Sequence, residues 1–168
     1  MKKYLLIAVL AVASLAAYAQ PRAIGGNLGS GIGFSYQHSL GESNMLDVAL
    51  NVPLVHAGSN AWGIGGIVTY DWIDPFNAVV PWEYKGEWHW YMGVGGAAGL
   101  YNFNPAIWHI GAAGHFGIEY DFWFPLQLSL DYRPNIGIYG ASVAGTTNVD
   151  FNRFGLYDGI TLGVRYKF

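Results

Sequence analysis

Ile160-Thr-Leu-Gly-Val-Arg-Tyr-Lys-Phe168, at the very end of the chain, decides how the rest is read. Ile160, Leu162, Val164, Tyr166 and Phe168 fall on even positions, and Thr161, Gly163, Arg165 and Lys167 on odd ones. This strict two-residue alternation builds a strand with one apolar face and one polar or small face. The apolar face runs out to the terminal residue itself. A greasy strand face that ends on an aromatic carboxy terminus suits a transmembrane β-strand whose odd positions turn toward an interior.

The same parity recurs upstream, and the chain divides into segments at about 22–28, 32–39, 45–55, 61–72, 87–101, 107–122, 126–133 and 154–168. Residues 22–38 alternate without a break and read either as one long strand or as a hairpin around Gly29-Ser30-Gly31. The hairpin keeps parity by pairing Leu28 with Ile32 and supplies glycine where positive φ is needed. Bacterial single-chain barrels have an even strand number with both termini on the periplasmic side, so eight segments fit and seven do not. The expected fold is therefore all-β, a transmembrane antiparallel up-and-down barrel of eight strands with Phe168 at the periplasmic side. Pro134 to Arg153, rich in Gly, Asn and Thr, reads as the longest loop, either solvated above the membrane or extending its flanking strands.

Outward aromatics give an independent check on that topology. Tyr36, Tyr70, Trp72, Trp88, Trp90, Tyr120, Phe122, Tyr166 and Phe168 fall at one end of the segments, and Trp62, Trp108, Tyr132 and Phe154 at the other. These positions form two interfacial girdles. From Trp108 to Tyr120 is roughly 40 Å of strand, which a tilt of about 40° reduces to roughly 30 Å, a bilayer's thickness.

Bulk properties narrow the class. Only 11% of residues are charged against 17% aromatic, where a soluble domain carries about 25% charged. Beyond the first residues no apolar run reaches the ~20 positions a spanning helix needs. A soluble sandwich would have to leave Trp62, Trp72, Trp88, Trp90 and Trp108 in water. Met1-Lys-Lys, an apolar run to Ala17 and then Ala17-Tyr-Ala19 make a secretory signal peptide, so residues 1–19 are expected to be cleaved and 20–168 to form one barrel domain. There is no cysteine, which excludes a lipid anchor on the mature end and disulfide stapling. Without Lys2 and Lys3 six basic side chains face eleven acidic ones, a formal −5, and nucleic acid is not a partner.

Over Gln20 to Phe168 the chain resembles the small eight-stranded outer-membrane β-barrel proteins of Gram-negative bacteria. The resemblance rests on the leader, the Gly-rich strands, Leu126-Gln-Leu-Ser-Leu-Asp-Tyr-Arg-Pro134 and Leu162-Gly-Val-Arg-Tyr-Lys-Phe168. The last of these is similar to the carboxy-terminal signal that the barrel-assembly machinery reads in that family. It implies the cell outer membrane as the location, with outer-membrane lipids and that machinery as partners. It implies no single activity, because the family includes porin-like channels, solute carriers, adhesins, structural barrels and a few lipid enzymes.

The even positions are almost purely apolar, and the exceptions, Ser30 and His38, lie at opposite ends, so no hydrolase pair forms there and no catalytic residue is assigned. His109 and His115 stand six residues apart on one strand, about 20 Å, and cannot share an ion, so neither a metal nor another cofactor is expected. Pairing Tyr101 with Ile107 sets His89 opposite Glu119, as a bonded lumen histidine or as a proton-coupled pair. Glu119, Asp121 and Asp131 meet Arg133, Arg165 and Lys167, with His89 and His115 among them. Mixed signs read as a polar plug that fills a narrow interior. Inward glycines (Gly63, Gly65, Gly93, Gly95, Gly99, Gly111, Gly117 and Gly163) either leave a path between Tyr91, Tyr101 and Tyr157 or make room for neighbouring side chains. The expected function is a non-enzymatic barrel with a filled polar lumen, serving envelope structure or interaction with a surface ligand. The alternative is a channel for small solutes or hydrophobic ligands through a Gly-rich lumen.

Overall fold

The computed structural model describes residues 21–29, 31–53, 63–76, 85–103, 106–143, 146–152 and 159–168. The leader, Ser30, Trp62, Phe154, Tyr157 and the side chain of Tyr101 lie outside the described set.

The described residues form an all-β, closed antiparallel barrel of eight wall strands. Its segments are β1 (Pro21–Leu28), β2 (Gly31–Ser39), β3 (Asn44–Pro53), β4 (Gly63–Pro75), β5 (Gly86–Phe103), β6 (Ala106–Phe122), β7 (Gln127–Tyr132), β8 (Asn135–Val143), β9 (Thr146–Asn152) and β10 (Ile160–Lys167). Residues 22–38 are a hairpin, β1 and β2, with Leu28 opposite Ile32. The wall closes where β10 lies between β1 and β7, with Ala23 opposite Lys167 and Leu162 opposite Leu130.

Of the two readings of residues 134–153, loop or strand extension, the described residues take the second. β6 has 17 residues and β7 only six, so β7 covers less than half of its neighbour. The far part of β6 takes β8 instead, in the same register: Asp121 faces Gln127 and Ala113 faces Asn135. β7 and β8 are thus one wall strand interrupted at Arg133-Pro134, where Pro134, having no N–H, still accepts from Gly114 at 2.8 Å. β9 returns along β8 as a hairpin. Glycine and Thr misled the loop reading, because Ile136 and Ile138 keep the two-residue period that a partner strand needs.

The register fixes the barrel's shape. From Asn27, hydrogen-bonded partners lead one way round through Gly33, Asn51, Gly65 and Gly99 to His109 on β6. The other way leads through Gly163 and Ser129 to Glu119, ten residues further along the same strand. This offset is the shear of the barrel. With eight strands it tilts them by about 40° and leaves an interior just wide enough for side chains to fill.

Parity holds along the wall. Even-numbered Leu28, Phe34, Leu50, Val68, Trp72, Val94, Ile110, Phe116, Leu128, Ile138 and Val164 are exposed on the outer surface. Odd-numbered Ser35, Asp47, Thr69, Asp71, His115, Glu119, Gln127, Asp131 and Arg165 are buried inside. β9 pairs Asp150 with Tyr139, one residue out of step with the wall, and exposes both faces, Asn148 and Asp150 as well as Val149 and Phe151. The end that carries Pro21 and Phe168 is called the near end below, and the opposite one the far end. At the near end the Phe168 N–H donates to Arg22 O at 3.0 Å, so the chain terminus is tied into the wall.

Candidate functional site

The strand parity that faces apolar side chains outward delivers ionisable ones inward, and the narrow lumen brings them together. Asp131 on β7 is the hub. It accepts from Ser129 Oγ at 2.7 Å, from Arg165 Nη2 at 3.4 Å and from the Tyr91 hydroxyl, and it faces His115 Nε2 at 3.1 Å. Arg165 on β10 also donates to Ser35 Oγ at 2.7 Å, to Ser129 Oγ at 2.7 Å and to Gln127 Oε1 at 3.2 Å. It reaches across to within 3.9 Å of Asp47 on β3. Arg133 Nη2 stands 3.0 Å from Asp47 Oδ1, an ion pair without hydrogen-bond alignment.

His115 has a carboxylate on each side, Asp71 Oδ2 at 2.9 Å from Nδ1 and Asp131 Oδ1 at 3.1 Å from Nε2. Both nitrogens must donate, which only the imidazolium does. The charges then balance: Asp47, Asp71 and Asp131 against Arg133, Arg165 and His115. Nearer the mouth, Glu119 and Asp121 are matched by Arg22 and Lys167. Arg22 donates to Glu119 and, at 2.9 Å, to Gln37 Oε1, and Lys167 Nζ lies 2.8 Å from Asp121 Oδ2. A buried cluster of this kind persists only when charges are paired and hydrogen-bonded.

Lumen glycines serve the cluster rather than a path. A Cβ on Gly117 would run into the Tyr91 ring, and one on Gly93 into the Asp71 carboxylate. On its far side the plug meets an apolar layer of Ile67, Ala97 and Ala113, with Ile107 against it. On its near side it opens into a cavity of about 610 Å³.

The eight expected lumen residues His89, His115, Glu119, Asp121, Asp131, Arg133, Arg165 and Lys167 all occupy inward positions, and seven of them join this network. His89 lies opposite Glu119 but 3.8 Å from it and unbonded; Arg22 holds that carboxylate instead. His109 is buried in the far half with no partner on either nitrogen. Sequence reading missed Arg22, Asp47, Asp71 and Tyr91 as network members. Their odd parity was visible, but their partners sit across the barrel, where strand pairing gives no information.

Among the expected interfacial aromatics, Trp72, Trp90, Tyr166 and Phe168 are exposed, and Trp88 and Trp108 half-buried. Tyr120, on the same outward parity, is 4% exposed because the rings of Trp88 at 5.0 Å and Phe122 at 4.7 Å cover it.

Thr69, His115 and Asp131 have the connectivity of a hydroxyl–imidazole–carboxylate relay, with Thr69 Oγ1 3.3 Å from His115 Nδ1. An imidazolium cannot take the hydroxyl proton, Thr69 already donates to Asp71 at 3.1 Å, and all three side chains are sealed from solvent. Comparison of the chain with family models, curated proteins and solved structures gave no match.

Proposed function

We propose that the protein is a non-enzymatic outer-membrane barrel that contributes to envelope structure or surface interaction and does not conduct. The observation that carries this reading is the filled cross-section at mid-height. Tyr91, His115, Asp131 and Arg165 lock together there with no more than 1% exposure each. An interior held by paired charges resists the partial opening that a pore requires, since moving one ion strands its partner.

The membrane reading is supported by the outer surface, where exposed large apolar side chains ring the wall on strand after strand. Water would penalise such a continuous band heavily, and lipid would not. In this orientation the near end is periplasmic and the far end extracellular. Outer-membrane lipids cover the band, and the β10 strand ending in Phe168 offers the assembly machinery its recognition segment. The β8–β9 hairpin stands at the far rim, where a surface ligand would meet it.

The test is planar-bilayer recording of the refolded chain, alongside membrane flotation from cells. Flotation with the outer membrane and electrical silence are expected. Stable, reproducible current steps would replace the plug with the solute-channel reading, and recovery in the soluble fraction would remove the membrane reading.

A further inference from the structure

We propose that the near-end cavity holds a divalent transition-metal site formed by His89, Glu119 and Asp121, with Glu87 at its entrance. The inference does not rest on the membrane reading. β5 and β6 pair Glu87 with Asp121 and His89 with Glu119, so four metal-ligand side chains share one two-by-two patch on the inward face. Directly opposed Cβ atoms in such a ladder are about 5 Å apart. One ligand atom each from His89, Glu119 and Asp121 already lies within 4.8 Å of the other two. Donors around a zinc-sized ion at ~2.1 Å stand about 3.4 Å apart, a gap that side-chain rotation closes.

An independent observation points to a ligand there. Glu119 is fully buried, yet only its Oε1 is bonded, and Oε2 meets no donor. His89 Nδ1 is likewise unpartnered although it stands beside that carboxylate. Buried acceptors left unpaired are costly, and a cation between them satisfies both.

Charge supports the same assignment. Glu42, Glu87 and Asp121 line the cavity and Glu119 is buried beside its lining residue His89, against Arg22 and Lys167, an excess of two negative charges that one dication neutralises. The imidazole ligand favours a zinc-like metal over calcium or magnesium. The other candidate triple, Asp47, Asp71 and His115, is sealed in the plug with all three side chains buried, whereas His89 is partly exposed and borders the cavity. Access is open, because Glu87 is largely exposed and the cavity faces solvent. Lys167 Nζ, 2.8 Å from Asp121 Oδ2 and partly exposed, competes for the site and swings out when metal enters.

The test is calorimetric titration of Zn²⁺ into the untagged, chelator-stripped, folded chain in detergent. One saturable site per chain is expected. His89→Gln should weaken it at least tenfold, Glu87→Gln a few-fold, and Lys167→Gln should tighten it several-fold by removing the competitor. Unshifted mobility of the folded band on unheated gels checks that each variant folds, and the exposed Glu87 and partly exposed Lys167 keep the test decisive if His89→Gln does not. Absence of saturable binding, binding indifferent to His89, or affinity unchanged or lowered in Lys167→Gln would each overturn the site.

Discussion

Replacing Arg165 by alanine is the sharpest test of the plug. The side chain donates four hydrogen bonds, to Ser35, Gln127, Ser129 and Asp131, and is 1% exposed. Serine and glutamine partners can turn to one another, so their loss is modest. The carboxylates cannot. Without Arg165, Asp47, Asp71 and Asp131 face only Arg133 and the His115 imidazolium, and one buried negative charge is uncompensated. Breaking a buried pair in this way costs about 3–5 kcal/mol, far above the ~0.5 kcal/mol of an ordinary surface change. Denaturant unfolding in detergent micelles, followed by tryptophan fluorescence, measures it. Adding Asp131→Asn to Arg165→Ala removes both charges together and should recover much of the loss, with a coupling energy of about 0.5–3 kcal/mol. A single variant within ~0.5 kcal/mol of the parent, or a cycle with no coupling, refutes the reasoning. Unchanged stability with new ion flux would make Arg165 a gate.

Two further predictions address the wall and the glycines. Ala112 is exposed on β6 between Trp108 and Tyr120, four residues in from Trp108, so Ala112→Arg should cost about 2–4 kcal/mol in a bilayer and Trp123→Arg, at the near-end turn, about 0–1; equal costs from liposome unfolding would contradict a membrane-spanning band. Gly117→Val should cost about 1–3 kcal/mol by displacing the Tyr91 ring, and the same change in a Tyr91→Ala background should cost much less, as paired unfolding curves will show.

The wall was legible in the sequence because its information is local. Parity tells which face a residue takes, and a turn of known length carries register into the next strand; His89 opposite Glu119 and Gly117 opposite Asp131 follow from two turns alone. The plug was legible only in its membership. Asp47 meets Arg133 and Arg165 across the lumen, and Arg22 reaches Glu119 from strands far apart in the wall, distances set by shear and closure. No pairing rule between neighbours encodes them. Residues 134–153 stayed open between loop and strand for a third reason: whether a Gly- and Thr-rich segment becomes strand depends on whether its neighbour has an unpaired edge, and the 17-residue β6 does.

The seam between β1 and β10 also sets a schedule. Residue 23 waits for residue 167, so most of the chain exists before either edge can be sealed. Arg22, Arg165 and Lys167 stand on the two strands of that seam, so their pairs with Glu119, Asp131 and Asp121 wait for closure, whereas His115 meets Asp71 and Asp131 from β6, between neighbours of the middle wall. An unfinished chain therefore holds only part of its lock. The strands that shut the ring bring the remaining cations with them, so closure and charge neutralisation are coupled.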